Sequence, residues 1–233
     1  MTAPVYVYYQ LDNFYQNHRR YVKSRSYEQL KGTYLAVSAL SDCDPITKNS
    51  DIASTLYAVD GTTLLTGSDP AIPCGLVAKS VFTDDYNLTN SSSVNMTINQ
   101  VNIAWESDKE YKFANINSGL PSGKTWENVQ WHNMTDEHFI VWMRTAGLPN
   151  FRKLWGKIES DLPAGNYTLG INNNYDVSSF EGKKTFVLST TNALGGKNYF
   201  LAICYIVVGS LCIVFAIIFL IAFLRKRNAR RTD

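Results

Sequence analysis

Five Asn side chains sit in the acceptor pattern for N-linked carbohydrate, Asn-x-Ser/Thr without an intervening Pro. They are Asn87-Leu-Thr89, Asn90-Ser-Ser92, Asn95-Met-Thr97, Asn133-Met-Thr135 and Asn166-Tyr-Thr168. One such triplet arises readily by chance. The three between residues 87 and 97 also read as a polar Asn/Ser/Thr loop. At least two of the five are expected to carry glycans, which would place this region in a lumen or outside the cell.

Cysteine chemistry is the second possibility. Cys204 and Cys212 lie in a long apolar run, roughly 12 Å apart along a helix axis. That is too far for a bridge, and they read as small apolar residues. Cys43 and Cys74 remain. In an oxidising compartment they are expected to pair, which would stabilise the fold by about 3–4 kcal/mol on the chain-entropy model. Two free thiols, or pairing with a cysteine upstream, are the alternatives.

Catalytic constellations are sparse. His18, His132 and His138 show no metalloprotease or Cys/His metal spacing. There is no G-x-S-x-G elbow, and Gly195-Gly196-Lys197 lacks the spacing of a phosphate loop. Asp84-Asp85 and Asp136-Glu137 read as solvated turn or cap residues. A hydrolase built from separated carboxylates stays open. The reading is a non-enzyme, with no catalytic, cofactor or metal residues assigned. The stretch Asn13-Phe14-Tyr15-Gln16-Asn17-His18-Arg19-Arg20-Tyr21-Val22-Lys23-Ser24 mixes aromatics, amides and cations. Such groups stack and hydrogen-bond together in interface hot spots, or in a strand and turn locked by their own polar network.

The element that must position all this is the apolar run from Phe200 to Leu224. Its 25 residues contain no Asp, Glu, Lys or Arg. As a helix it is roughly 37 Å long, enough to cross a hydrocarbon core of about 30 Å. Arg225, Lys226, Arg227, Arg230 and Arg231 follow it. The positive-inside bias then puts the C-terminus in the cytoplasm and residues 1–199 in the lumen or outside. A core helix of a soluble protein is the plainer alternative, but such helices rarely lack a polar face over this length. The N-terminus, Met1-Thr2-Ala3-Pro4-Val5, has neither the basic nor the apolar region of a signal peptide. The expectation is an additional membrane helix upstream of Met1.

The formal net charge is +2, yet the tail holds five of the 22 Lys and Arg residues and only Asp233 of the 20 acidic ones. The remainder is therefore slightly acidic, at −2, which argues against nucleic acid as a partner. The basic tail suits an anionic cytoplasmic leaflet.

Residues 1–199 read mainly as strands and turns. Strands are expected at Val5–Tyr9, Gly32–Val37, Ile98–Trp105, Tyr167–Ile171 and Lys184–Ser189. Residues 41–73 read as a long loop held by the disulfide, and 115–123 as a turn-rich connection. Thr135 or Asp136 should cap a helix through Phe139, Ile140, Trp142 and Met143 that stops by Gly147 and Pro149. Phe151–Ile158 fits a helix or a strand equally. The expected class is mainly β, an antiparallel sandwich-like domain with short helices, plus one C-terminal membrane helix.

Several blocks also carry a family resemblance. Asn13-Phe14-Tyr15-Gln16-Asn17-His18-Arg19-Arg20-Tyr21-Val22 looks like a signature of the ligand-effect modulator 3 / cell division control protein 50 family. The similarity continues in Pro73-Cys74-Gly75-Leu76-Val77-Ala78-Lys79-Ser80-Val81-Phe82. It is strongest from Phe139-Ile140-Val141-Trp142-Met143-Arg144 through Gly147-Leu148-Pro149-Asn150-Phe151-Arg152-Lys153-Leu154. Leu162-Pro163-Ala164-Gly165-Asn166-Tyr167 and Gly195-Gly196-Lys197-Asn198 are similar too. Residues 83–135 match poorly, and no role is carried over there.

The resemblance implies an accessory β-subunit of a type IV P-type ATPase, a phospholipid flippase. It implies two membrane helices, cytoplasmic termini and a glycosylated lumenal domain, with the first helix and first lumenal stretch missing from this sequence. The Cys43–Cys74 pair would match the family's second disulfide. The implied role is folding of the catalytic subunit, its exit from the endoplasmic reticulum, and support of aminophospholipid transport there or in Golgi, endosomal and plasma membranes. Partners would be the ATPase, as a heterodimer, and the bilayer, with no cofactor. Arg19, Trp142 and Arg144 are candidate partner contacts, with core packing and internal ion pairing as the alternative. Ala202, Gly209, Ser210 and Ala216 would permit close helix approach. The partition expected is 1–199 lumenal, 200–224 membrane-spanning and 225–233 cytoplasmic. A single-span adhesion or receptor ectodomain and an anchored lumenal hydrolase are the rivals.

Overall fold

Alternation of apolar side chains builds the first strand of the computed structural model, which describes residues 1–192, 195–196 and 199–229. In β1 (Val5–Asp12), Val5, Val7, Tyr9 and Leu11 are buried and their neighbours are half-exposed. Two short helices follow, α1 (Arg19–Lys23) and α2 (Tyr27–Leu30). After them come α3 (Asn49–Ile52), α4 (Leu76–Lys79), β2 (Asp85–Asn90), β3 (Asn95–Met96), α5 (Glu106–Tyr111) and α6 (Glu137–Met143). The chain continues through β4 (Phe151–Ile158), β5 (Tyr167–Asn172), β6 (Lys183–Asn192), β7 (Gly195–Gly196) and α7 (Tyr199–Ala229). The expected class, antiparallel sheets with short helices and one long apolar C-terminal helix, is what the structure shows.

The chain divides into two units, Met1–Thr190 and Thr191–Asp233. In the first, β1 lies between β4 and β6, antiparallel to both. A second antiparallel sheet has the order β3-β2-β5. The two sheets share one core. Tyr86 of β2 meets Trp155 of β4 and Phe186 of β6, each with ring centroids 5.1 Å apart. Tyr9 stacks on Phe82 at 3.8 Å. A smaller core of Leu40, Ile46 and Ala71 surrounds the Cys43–Cys74 disulfide.

Four local expectations change. Gly32–Val37 is not a strand: only Thr33 makes a β-bridge, to Ser118, and Val37–Ala39 is a 3-10 turn. Ile98–Trp105 is not one either. Asn99 bridges Lys157, and then Asn102 adopts φ 58°, which ends the extended path. The polar run holding three sequons is not a loop but the β2–β3 hairpin, with Tyr86 and Leu88 turned inward. The ambiguous Phe151–Ile158 is strand throughout, because it pairs along β1. Gly156 serves a close approach there: an added Cβ would lie 2.6 Å from Ile98 and 3.0 Å from the Asn99 carbonyl. The residues 41–73 do run mostly without regular structure, interrupted by α3 and a 3-10 turn at Ser41–Cys43.

In the second unit, Thr191 and Asn192 pair with Gly196 and Gly195. The span Tyr199–Lys226 is long and apolar enough to cross a membrane, with mean hydropathy 3.1 in its most apolar window and none of that window buried. Its one hydroxyl-bearing serine, Ser210, donates to the Ile206 carbonyl at 2.8 Å, so that polar group is satisfied within the helix. Arg230 and Arg231 of the basic tail, and Lys197 and Asn198, lie outside the described residues.

Candidate functional site

The stretch 13–24 leaves β1 through Asn13, whose φ of 63° is tolerated by a short polar side chain. It then meshes with residues 146–150. Asn13 N–H donates to Asn150 Oδ1 at 3.1 Å, and Phe14 N–H to the Pro149 carbonyl at 3.1 Å. Ala146 N–H donates to Gln16 Oε1 at 2.8 Å, and Asn17 Nδ2 to the Gly147 carbonyl at 2.9 Å. Phe14 fills the space beneath, with its ring 5.7 Å from Tyr21 and from Trp142 and 5.0 Å from Phe180.

Residues 73–82 close the same knot from another side. The Tyr21 and Ser80 hydroxyls are 2.7 Å apart. Leu76 N–H donates to Ser24 Oγ at 2.8 Å, and Ser24 Oγ–H to the Cys43 carbonyl at 2.9 Å. Trp142 Nε1–H donates to the Val77 carbonyl at 2.8 Å. Gly75 has φ +97°, and a Cβ there would stand 2.0 Å from the Ser24 carbonyl oxygen. Three stretches far apart in sequence therefore form one polar-and-aromatic junction around Trp142.

Helix α6 carries Trp142 because Asp136 caps its start, its Oδ1 accepting from His138 N–H at 3.3 Å. Its far end is held by Lys153. That ammonium donates to the carbonyls of Val141 at 2.9 Å, Trp142 at 3.0 Å and Arg144. A cation at a helix C-terminus is electrostatically favoured. Burial, then the nearby Arg144 and Arg25 guanidinium groups, push the Lys153 pKa down to about 7. Arg144 pairs with Asp108, whose side chain is almost wholly buried, and stacks over the Trp105 ring at 4.9 Å. Lys112 holds the other Asp108 oxygen at 2.7 Å. Arg25 Nη1 donates to the Met143 carbonyl at 2.8 Å. Arg25, Tyr27, Asp108, Lys112 and Arg144 line one open cleft.

A family model described as the LEM3 (ligand-effect modulator 3) family / CDC50 family matches residues 1–229. The chain belongs to that family. It is 46% identical to ALA-interacting subunit 3 of Arabidopsis thaliana, over 97% of this chain and 61% of that protein. It is 38% identical to cell cycle control protein 50A of Mus musculus, over 98% of this chain and 66% of that protein. Similarity to cell cycle control protein 50B of Homo sapiens is 34% identity, over 99% of this chain and 70% of that protein. The chain spans about three-fifths of the length of the Arabidopsis relatives it matches.

In this LEM3/CDC50 chain the three candidate contacts have different settings. Arg19 is exposed at the start of α1. Arg144 is half-exposed and internally paired, its side chain keeping 47% of its surface. Trp142 is fully buried, so its effect on any partner passes through the packing around it. The junction brings Trp142 and Arg144 together through Lys153, which donates to both their carbonyls. Asn87, Asn95 and Asn166 are exposed, while Asn90 and Asn133 are half-buried. Among the described residues no group of three His, Cys, Asp or Glu side chains is placed to hold a metal ion. His132 and His138 are lowered in pKa by burial, and His138 Nε2 lies 2.9 Å from Gln100 Oε1.

Sequence reasoning missed the buried amides. Gln29 Nε2 donates to the Ala71 carbonyl at 3.1 Å, and its Oε1 accepts from Cys74 N–H at 3.0 Å. Gln130 Oε1 accepts from Ile116 N–H at 2.7 Å, and its Nε2 donates to Asn115 Oδ1 at 2.9 Å. Each bonds backbone far away in sequence, so no local pattern marks it. Lys153 had one usable signal: in a strand paired with β1 it shares a face with Tyr9.

Proposed function

We propose that this chain is the non-catalytic accessory subunit of a phospholipid-translocating P-type ATPase. It supports folding of the catalytic subunit, its export from the endoplasmic reticulum and aminophospholipid flipping. The observation that carries this reading is 46% identity, across almost the whole chain, to a protein named an interacting subunit. Residues 1–199 lie in the lumen or outside, 200–224 cross the bilayer and 225–233 face the cytoplasm, along the route from endoplasmic reticulum through Golgi and endosomes to the plasma membrane. An apolar helix with no buried surface of its own supports a partner or lipid around it. The two subunits form a heterodimer. Exposed Arg19 contacts the ATPase, while Trp142 and Arg144 shape the ectodomain that meets it.

The test is gentle solubilisation of the full-length protein followed by affinity purification. A multi-span P-type ATPase should co-purify, and deletion should strand that ATPase in the endoplasmic reticulum. Arg19→Ala should weaken co-purification while ectodomain melting stays unchanged. Absence of any P-type ATPase from the purified material would overturn the proposal.

A further inference from the structure

Three cations from three separate elements converge on one open cleft of about 320 Å³. Arg25 comes from the link between α1 and α2, Lys112 from the residue that ends α5, and Arg144 from the residue that ends α6. Among the described residues Asp108 is the one acid that lines it. The Asp108 side chain is only 1% exposed, and both its oxygens are taken, Oδ1 by Lys112 and Oδ2 by Arg144. Burial opposes its charge, but these two cations outweigh burial and hold its pKa below the ordinary 3.8, so it stays ionised. Three cations against one carboxylate leave the cleft at +2.

The cleft is rich in donors and poor in acceptors. A guanidinium carries five N–H bonds and an ammonium three, and neither can accept. Among the described residues Arg144 directs Nε–H to Asp108, and Lys112 directs one N–H there. Arg25 gives Nε–H to the Val22 carbonyl at 3.0 Å and an Nη1 hydrogen to the Met143 carbonyl at 2.8 Å. That second bond sets the Arg25 guanidinium beside the backbone from which Arg144 springs. Two planar forks and an ammonium are left with further N–H bonds, and the lone carboxylate is already engaged. The Lys112 and Arg144 side chains keep 57% and 47% of their surface, so a ligand can reach them.

The positive field extends behind the cleft. Buried Lys153 donates to the Arg144 carbonyl, and after burial it is the Arg144 and Arg25 charges that press its pKa down. The rest of the lining is apolar or aromatic. Leu30, Phe113 and Met143 contribute carbon, and the Tyr27 ring has the Arg25 guanidinium 5.4 Å from its centroid. Such a lining suits a ligand that carries carbon next to its charge. A carboxylate brings two oxygens and one charge. A phosphoryl monoester brings three acceptor oxygens and nearly two charges, and Arg forks match its geometry. Donor surplus and net charge both favour the phosphoryl group.

We infer that this cleft binds an organic phosphomonoester, with Arg25, Lys112 and Arg144 donating to the phosphoryl oxygens while Leu30, Phe113 and Met143 meet the ester group. Asp108 does not touch the ligand. It holds Lys112 and Arg144 in position and trims the field to the +2 that a dianion neutralises. Binding alone is involved, and no bond is made or broken.

The test uses the full chain in a non-ionic detergent at pH 8, where phenyl phosphate and inorganic phosphate are both dianions. Each is titrated at constant ionic strength, with binding read by calorimetry and as a rise in melting temperature. Phenyl phosphate should bind saturably. Inorganic phosphate should bind roughly tenfold more weakly for want of the ring. Benzoate, with the ring but a single charge, should also bind roughly tenfold more weakly than phenyl phosphate. Lys112→Gln and Arg25→Gln should each weaken phenyl phosphate by roughly tenfold or more. Arg20→Gln removes the same charge from the exposed start of α1, outside the cleft, and should change affinity less than about twofold. Melting without ligand is recorded for every variant. Arg25 also ties backbone, so if Arg25→Gln fails to fold, the more exposed Lys112→Gln still decides. Parental affinity in folded Lys112→Gln, or benzoate binding as tightly as phenyl phosphate, overturns the site. Inorganic phosphate binding as tightly as phenyl phosphate overturns the assignment to a monoester.

Discussion

The indole N–H of Trp142 donates to the Val77 carbonyl at 2.8 Å, tying α6 to α4 through a wholly buried side chain. Trp142→Ala should cost about 3–5 kcal/mol, the usual range for a buried aromatic. Trp142→Phe keeps much of the packing and drops one donor, costing about 1–3 kcal/mol. Chemical denaturation of the unit Met1–Thr190 reads both. If Trp142→Ala left the midpoint unchanged while abolishing ATPase binding, the buried assignment would be wrong.

Gly75 admits no side chain. Its φ of +97° and the Ser24 carbonyl oxygen 2.0 Å from an ideal Cβ both act against one. Gly75→Ala should therefore exceed the roughly 1 kcal/mol of an ordinary exposed glycine replacement and displace the adjacent Leu76–Ser24 hydrogen bond. Gly147→Ala, where a Cβ meets nothing within 4 Å, is the control and should be nearly silent. Equal melting temperatures for the two variants would contradict this.

Glu137 should make the unit Met1–Thr190 acid-sensitive. Its carboxylate accepts N–H donors from Asn102 at 3.0 Å, Ile103 at 2.7 Å and Ala104 at 2.9 Å. Burial opposes the charge, but those donors and Lys109 outweigh it and hold the pKa below its ordinary 4.5. A depressed folded-state value means the group contributes stability that is complete above about pH 4.5. That contribution is lost as the pH falls through the lower folded value. Glu137→Gln should be less stable than the parent at pH 7, and the difference should shrink on acidification. A gap that stays constant from pH 7 to pH 3 would refute the assignment.

The Cys43–Cys74 bridge closes a sequence separation of 31 residues around its own small core. The double variant Cys43→Ser, Cys74→Ser should lose about 3–4 kcal/mol. Hydrogen exchange should rise first between residues 43 and 74, since little regular structure holds that segment otherwise.

What could be read in advance follows from how local each cause is. β1 announces itself by its β-branched and aromatic residues, β6 by the turn signal Phe180-Glu181-Gly182 before it, and α7 because an apolar run of that length has few other uses. β2 is hidden because only Tyr86 and Leu88 face the core, and the acceptor residues on its outer face resemble a loop. The path of residues 99–104 is set by Glu137, more than thirty positions away, so β-branched residues there misled the reading. The candidate contacts show the same limit. Composition singled out Trp142 and Arg144, but only the fold tells that one is sealed in and the other paired with Asp108.

The position of β1 also sets a schedule for synthesis. β1 lies between β4 and β6, so it cannot complete both pairings until residues near 190 have emerged. At typical translation rates of about 5–20 residues per second, that leaves its Val5, Val7, Tyr9 and Leu11 edge unsheltered for roughly 10–40 seconds. Chaperone engagement of the nascent chain should therefore peak before β6 appears and fall once it does, and a chain stopped after β5 should remain a chaperone client.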